Sequence, residues 1–180
     1  SFVGILIAPW AIWLTNVTLG ERLDYHIPLI PSLAAFAISY SFGEVIGRLA
    51  CISFGCCYGK PLSQSHPILR GIFDKYCFTF FGKTKKIAYE SGLDGVKVIP
   101  IQAITSILYL ITGMAGIVLF LKSHYPTAFI LTMVVTQGWR LLSEMFRADY
   151  RGGGRISVYQ VMAIISIAYS LGIWYFSSSV

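Results

Sequence analysis

Charged residues are scarce in this sequence. Only 12% of its 180 residues are Asp, Glu, Lys or Arg, whereas an average soluble domain has about 25%. Hydrophobic residues make up 56%, and the mean hydropathy is +0.68. This composition disfavours a soluble domain and makes lipid the expected environment of most of the chain.

Several familiar signals are also missing. The four cysteines include no C-x2-C pair, so the sequence supports neither a zinc ribbon nor a thiol redox motif, and we expect no metal site. We interpret them as small packing residues: Cys51, Cys56, Cys57 and Cys77. There is no repeat of fixed period, no low-complexity tract, and no charged start with a cleavage site typical of a signal peptide. A single membrane domain over residues 1–180 is the simplest organisation.

Long apolar runs are present instead. They are Ile30–Phe54, Val98–Leu121, Ser123–Trp139 and Ile156–Val180, with a shorter one over Ser1–Leu14. Each longer run approaches the roughly 20 residues that a helix needs to cross about 30 Å of hydrocarbon. The sequence therefore predicts an all-α, polytopic helical membrane protein with four to five transmembrane helices and one long loop over about residues 58–97. The shorter run is interpreted as the end of a span or as a re-entrant segment.

Positive charge is concentrated in that loop. Seven of the fourteen Lys and Arg residues lie between Lys60 and Lys97, where they alternate with aromatic residues, as in "FDKYCFTFFGKTKK". In a membrane protein such a segment suits contact with anionic lipid headgroups, so we expect no nucleic-acid partner. A basic loop that is merely solvated is the alternative. Alternation of the spans puts this loop on the same side as residues 147–155, and the positive-inside rule favours the cytoplasm for that side.

Ionisable residues also occur inside the apolar runs, where an unpaired charge costs at least about 2.5–3.5 kcal/mol. Arg140, Glu144 and Arg147 are spaced by four and three, which predicts one stripe of a helix. Glu44 and Arg48, four apart in another run, repeat the pattern. One interpretation is a set of ion pairs that hold helices together. The other is a polar cavity in which a guanidinium in excess of the glutamates binds the phosphate of a phospholipid.

Small and polar residues suggest how such a cavity would be built. Gly43 and Gly47, four apart, predict a face that another helix approaches closely. The glycines of "GRLACISFGCCYG" allow the backbone to bend where that helix ends, and Tyr58 is expected at the membrane interface. Gln102 is expected to donate hydrogen bonds into the same interior.

Four segments carry a family resemblance. They are "GRLACISFGCCYG" (Gly47–Gly59), "GVKVIPIQ" (Gly95–Gln102), "RLLSEMFRADYRGG" (Arg140–Gly153) and "ISVYQVMAI" (Ile156–Ile164). In content and order they resemble the prolipoprotein diacylglyceryl transferase family, from about Ile30 to the end of the chain. The resemblance implies a multi-pass protein of the bacterial inner membrane that moves the diacylglyceryl group of phosphatidylglycerol to the cysteine thiol of a lipoprotein precursor. It implies no metal or organic cofactor, and it implies upstream spans that this sequence lacks or has only in part.

The resemblance also assigns roles to single residues. Arg48 matches the signature arginine and Gly59 its closing glycine, while Arg140 and Glu144 match a later arginine and glutamate. It implies that Arg48, Arg140 and Glu144 are catalytic. Together with the charge pattern, which adds Arg147, and the interface position expected for Tyr58, the candidate substrate-binding residues are Arg48, Arg140, Arg147, Gln102, Gly59 and Tyr58.

One segment departs from the family pattern and supports a second hypothesis. The family's "HPxQLYE" reads "IPIQAIT" here, so that Gln102 matches the glutamine, whereas Ile99 replaces the histidine and Ile104 the tyrosine. Cys51 and Cys56 stand where some members have asparagine and glutamate. The second hypothesis is a catalytically lapsed relative that serves as a lipid-binding structural subunit of a larger membrane complex.

A small transporter gated by ion pairs is a third hypothesis, but the sequence has no internal pseudo-symmetry to support it. Family sites open toward the periplasm, which opposes the side that the positive-inside rule favours. We follow the resemblance, because long loops weigh little in that rule.

Overall fold

The computed structural model describes residues 2–20, 22, 24–148 and 157–178. This part of the chain contains seven α-helices and two very short strands. The helices are α1 (Phe2–Thr15), α2 (Leu29–Phe54), α3 (Pro67–Phe73), α4 (Lys86–Ser91), α5 (Ile101–Leu121), α6 (Tyr125–Ser143) and α7 (Val158–Ser178). The strands are β1 (Phe78–Thr79) and β2 (Lys97–Val98). The predicted helical class is confirmed.

Four helical segments of the described chain are long and apolar enough to cross a membrane, judged by length and composition. They are Val3–Gly20, Leu29–Phe54, Ile101–Leu121 and Val158–Phe176. This number agrees with the four to five predicted spans. The first of them joins α1 to a π-helical turn over Asn16–Gly20. α6 forms as well, but it is not one of the four.

The long helices expose large apolar side chains and bury small polar ones. Trp10, Phe36 and Leu121, for example, are 66%, 60% and 78% exposed. Buried hydroxyls that donate to the carbonyl oxygen four residues earlier belong to Ser41, Thr105, Thr132, Thr136, Ser166 and Ser170. Since a soluble protein buries its apolar residues, this reversed distribution indicates helices surrounded by lipid.

Residue contacts divide the chain into two compact units. The first unit comprises Ser1–Gly43, Tyr109–Leu141 and Val158–Val180, and the second comprises Glu44–Leu108 and Leu142–Ser157. The first unit has a core of apolar side chains from α1, α2 and α6. Its buried members are Ile12, Leu33, Ala34, Ala37, Ala128, Phe129 and Met133.

Helices α2 and α5 approach each other closely at a glycine of α5. A Cβ atom at Gly116 would lie 2.8 Å from the side chain of Ile38 and 2.9 Å from the hydroxyl oxygen of Thr132. By contrast, no described atom lies within 4 Å of a Cβ placed at Gly43 or Gly47. The prediction that Gly43 and Gly47 form a closely packed face is therefore wrong. Their spacing suits such a face, but the close contact with another helix occurs at Gly116.

The predicted long loop is folded into a small substructure of the second unit. It contains a 3-10 turn, helices α3 and α4, and the antiparallel pair β1–β2, in which Phe78 lies opposite Val98. Its buried core consists of Tyr58, Phe80, Ile87 and Val98. The segment between α2 and α5 is thus ordered by its own apolar side chains. It also contacts the end of α2, where the amide of Ile87 donates to the carbonyl oxygen of Gly55.

Candidate functional site

The end of α2 sets the geometry of the site in the second unit. Gly55 has a φ of 61°, the left-handed conformation that often ends helices. The amide of Cys56 donates to the carbonyl oxygen of Cys51 at 3.1 Å. Cys57 has a φ of 56°, which is uncommon for a residue with a side chain. The chain therefore turns back sharply and keeps Cys56 and Cys57 close to the last turn of α2.

Arg48 lies on α2, one helical turn after Glu44. Its Nη2 donates to Oε2 of Glu44 at 3.1 Å, which confirms the ion pair predicted from the spacing. The side chain of Arg48 is only 15% exposed, and its buried Nε has no hydrogen-bond partner among the described residues. Because an unsatisfied buried donor costs about 1–3 kcal/mol, Nε of Arg48 is a group that gains from a ligand.

Gly59 and Arg147 lie opposite each other in an antiparallel bridge. The backbone on either side of Gly59 exchanges two hydrogen bonds with the backbone flanking Arg147, at 2.9 and 3.2 Å. No side chain fits at Gly59, because its Cβ would collide with the carbonyl oxygen of Ile99. The closing glycine of the signature thus permits the close approach of Ile99, while backbone pairing holds Arg147 beside the signature stretch.

The segment after α6 is not a continuous helix. It passes through a 3-10 turn that begins at Glu144, and Arg147 is extended, with φ −88° and ψ 152°. The prediction that Arg140, Glu144 and Arg147 share one helical stripe is therefore wrong, since backbone pairing with Gly59 takes the place of further helical hydrogen bonds. Nε of Arg147 lies 3.9 Å from Oε1 of Glu144, and both side chains are buried.

Three cysteines form a cluster that the sequence did not predict. The Sγ atoms of Cys51, Cys56 and Cys57 all lie within 4.8 Å of one another. The thiol of Cys51 donates to Sγ of Cys57 at 3.7 Å. Their spacing in the sequence was visible, but it brings the thiols together only because the chain turns back at Gly55.

The cluster lies in a positive electrostatic environment. The hydrogen bond from Cys51 lowers the pKa of the Cys57 thiol, whereas burial raises it. The charges of Arg147 and Arg48 lower the pKa of Cys57 further, to about 4. Burial raises the pKa of the Cys56 thiol. Two arginines from separate segments, Arg48 and Arg147, therefore both lower the pKa of the Cys57 thiol.

Gln102 and Tyr58 are both fully buried. Nε2 of Gln102 donates to the carbonyl oxygen of Cys56 at 2.9 Å, and its buried Oε1 has no hydrogen-bond partner among the described residues. The hydroxyl of Tyr58 donates to Oε2 of Glu90 at 3.0 Å, while its ring packs in the core of the folded loop. Tyr58 was expected at the membrane interface, but burial against apolar neighbours places it inside the fold. Its part in substrate binding stays a prediction.

Arg140 belongs to the first unit. Its Nη1 donates to the hydroxyl oxygen of Tyr40 at 3.1 Å, and its guanidinium carbon lies 5.5 Å from the centre of the Tyr159 ring. Tyr40 also lines an apolar cavity of about 340 Å³ between α1, α2 and α6, a volume within the range of about 300–1,000 Å³ typical of ligand pockets. Sequence reasoning missed both tyrosines, whose only signal was a hydroxyl within an apolar run.

The structure thus brings six of the seven predicted site residues together in the second unit. They are Arg48, Tyr58, Gly59, Gln102, Glu144 and Arg147. Arg140 lies in the first unit, beside the apolar cavity. That Arg48 and Arg140 bind one phosphate stays a prediction.

Comparison with known proteins places this architecture in a family. The sequence model of prolipoprotein diacylglyceryl transferase matches residues 2–176, nearly the whole chain. Searches of the curated proteins and of the solved structures gave no match. The matched region includes Arg48 and Gly59 of the signature and the segment from Arg140 to Arg147. The chain belongs to the prolipoprotein diacylglyceryl transferase family.

Proposed function

We propose that the protein binds phosphatidylglycerol, or a closely related anionic phospholipid, and transfers its diacylglyceryl group to the cysteine thiol of a lipoprotein precursor in the bacterial inner membrane. The observation that carries the proposal is the unused donor of Arg48. Its guanidinium is ion-paired with Glu44 through Nη2, while Nε is buried without a described partner. An arginine fork held in this way is suited to bind a phosphate through two hydrogen bonds.

Arg147 supports the same assignment. It is 8% exposed, and its charge and that of Arg48 both act on Cys57. Two guanidinium groups therefore raise the potential in one region of the second unit, where a phosphate would be attracted. Glu144 and Gly59 act as positioning residues, because they hold the side chain and the backbone of Arg147.

The apolar cavity of the first unit is suited to an acyl chain. Its lining is almost entirely apolar, and Tyr40 supplies the polar hydroxyl that accepts a hydrogen bond from Arg140. A lipid combines an apolar tail with a charged head, so an apolar cavity with an arginine at its margin matches one. We assign Arg140 to the polar part of a lipid whose acyl chain occupies this cavity.

The chemistry requires a good leaving group and a deprotonated acceptor. The thiolate of the precursor attacks the glyceryl carbon, a carbon–sulfur bond forms, and the bond from that carbon to the phosphate oxygen breaks. The products are a thioether and glycerol phosphate, and the thiol proton passes to solvent or to a base. Guanidinium donors aimed at the phosphate stabilise the charge that develops on the leaving oxygen.

A specific observation favours the second candidate function, a lipid-binding subunit without transferase activity. Ile99, at the position of the family's histidine, is 2% exposed and brings an apolar side chain where the family has a titratable one. Ile104 likewise replaces the family's tyrosine. Under this hypothesis the site holds a phospholipid and never turns it over.

Transfer of labelled diacylglyceryl from phosphatidylglycerol to a peptide with one cysteine tests the proposal with the purified chain. Arg48→Lys keeps the positive charge but removes Nε. We expect it to lower the transfer rate by about 100-fold or more, the order typical of removing one donor to a developing negative charge. Arg70→Lys, at an exposed position of α3, is the matched control and should leave the rate unchanged.

Lipid retention after purification separates the two candidate functions. Active wild-type protein with an impaired Arg48→Lys variant supports the transferase. Equal rates for both proteins would remove Arg48 from the mechanism. Wild-type protein that carries phosphatidylglycerol but transfers none would reject the transferase in favour of the subunit.

A further inference from the structure

We propose that Cys51, Cys56 and Cys57 form a binding site for one thiophilic d10 metal ion, of which Zn²⁺ and Cu⁺ are the common examples. The proposal does not depend on the transferase activity. It rests on the distances between three thiols, on the backbone that holds them, and on the charges that surround them.

The spacing of the sulfur atoms fits a shared ion. Sulfurs bound at about 2.3 Å to one tetrahedral zinc ion are about 3.8 Å apart. Sγ of Cys51 and Sγ of Cys57 are already 3.7 Å apart, and all three sulfurs lie within 4.8 Å of one another. The two remaining distances both involve Sγ of Cys56 and exceed this ideal spacing by at most about 1 Å.

The backbone of the cluster is held in an uncommon conformation. Cys57 has a positive φ, which for a residue with a side chain costs on the order of 1 kcal/mol or more. Gln102, through its hydrogen bond to the carbonyl oxygen of Cys56, fixes the neighbouring residue from α5. The three thiols thus lie at the end of α2 and in the turn that follows it, and α5 supports that turn. Such an arrangement is typical of a preorganised site.

The donor set selects the class of ion. The group consists of cysteines alone, without a described histidine or carboxylate among its members. Thiolates prefer soft or borderline ions such as Cu⁺ and Zn²⁺ to Mg²⁺ or Ca²⁺. Three thiolates around such an ion carry net negative charge, which the nearby guanidinium groups of Arg48 and Arg147 offset. The contact of Arg147 with Cys57 is the kind of outer contact that orients a metal ligand.

Cys77 provides an internal control. Its Sγ donates to the carbonyl oxygen of Asp74 at 3.5 Å, and it is not a member of the cluster. It is otherwise comparable, since none of the four cysteines forms a disulfide in the described structure and all four are half-buried.

Titration of the reduced, detergent-purified chain with Cd²⁺ tests the site, because cadmium–thiolate bonds absorb in the ultraviolet. We expect one ion per chain, displaced by Zn²⁺, with Cu⁺ measured in a separate arm. Cys51→Ser, Cys56→Ser and Cys57→Ser should each weaken binding by more than about tenfold, since even outer contacts of a metal site are worth about 10- to 100-fold. Cys77→Ser should bind as tightly as the wild type.

A second measurement keeps the test valid if a serine variant fails to fold. Wild-type protein is alkylated with and without Zn²⁺, and the modified cysteines are identified by mass spectrometry. Protection of Cys51, Cys56 and Cys57, with Cys77 still alkylated, supports the site. Absence of metal absorption, binding that survives loss of a cluster cysteine, or protection of Cys77 as well would overturn it. A Cys51–Cys57 disulfide that persists in the presence of reductant would also overturn it.

Discussion

At Gly59 the absence of a side chain makes room for a neighbouring backbone segment. The carbonyl oxygen of Ile99 occupies the space that a Cβ would need, and the backbone around Gly59 also pairs with the backbone around Arg147. Neither contact involves the chemistry of a side chain. The closing glycine of the signature therefore allows the backbone of Ile99 to lie against it.

We predict that Gly59→Ala destabilises the protein by about 3 kcal/mol, near the upper end of the costs of overpacking. The added methyl group meets a backbone oxygen, which cannot move aside as the tip of a side chain can. Gly71→Ala is the matched control, because no atom lies within 4 Å of its Cβ position and alanine favours the helix α3. Thermal unfolding in detergent measures both, and equal melting temperatures for the two variants would contradict the prediction.

At the level of residues, the sequence predicts pairs within a helix and misses contacts made through turns. The spacing of Glu44 and Arg48 was sufficient, because one helical turn always brings such side chains together. The contact of Cys51 with Cys57 depends on two departures from helical geometry, at Gly55 and at Cys57 itself. No spacing rule anticipates a positive φ at a cysteine, so the thiols were interpreted as separate packing residues.

Among the elements, the helices were predictable from length and apolarity, but their contacting faces were not. Gly43 and Gly47 have the right spacing for a close helix contact, yet no atom of the described residues lies within 4 Å of a Cβ placed at either one. Gly116 has a neighbour on each side. In lipid both the outer and the inner face of a helix are apolar, so small residues alone do not reveal which face meets protein.

Substitution by leucine distinguishes these two kinds of glycine. Gly116→Leu should lower the melting temperature and the yield of folded protein, since its side chain would displace Ile38 and Thr132 at the contact between α2 and α5. Gly43→Leu makes the same chemical change in α2 and should be tolerated, because the space around it is open. Thermal unfolding in detergent measures both variants. Greater damage from Gly43→Leu would show that the close contact has been assigned to the wrong helix face.

The small elements of the folded loop were beyond the reach of sequence patterns. β1 and β2 have two residues each, too few for an alternating pattern to be recognised, and α4 has six. What holds them is the buried cluster around Tyr58, which draws on residues that are 40 positions apart in the case of Tyr58 and Val98. Long-range contacts of this kind follow from the tertiary fold, so the segment was predicted only as a long loop.

For the whole molecule, the composition and the exposed surface both indicate a membrane environment. The positive-inside rule and the family resemblance, however, give opposite orientations in the membrane. The basic loop between α2 and α5 favours the cytoplasm by charge, whereas the family resemblance implies a periplasmic site. The loop is now seen to be folded, and part of its charge is used internally. Lys85 donates to the carbonyl oxygen of Ser53 and Lys86 pairs with Glu90. These two lysines have partners within the fold, so their presence has a structural explanation. Counting them as signals of membrane orientation is therefore less informative.

We therefore predict that Lys83 faces the periplasm. In intact bacterial cells a membrane-impermeant amine reagent should modify Lys83, which is exposed and carries no described ion pair, and should spare Lys122 at the other end of the spanning helix α5. Modification is located by mass spectrometry of peptides, and permeabilised cells, in which both lysines should react, provide the control. The groups that flank a spanning helix decide its orientation, and a basic loop as long as this one weighs little in that decision. Labelling of Lys122 alone in intact cells would place the loop in the cytoplasm and would exclude a periplasmic opening of the site.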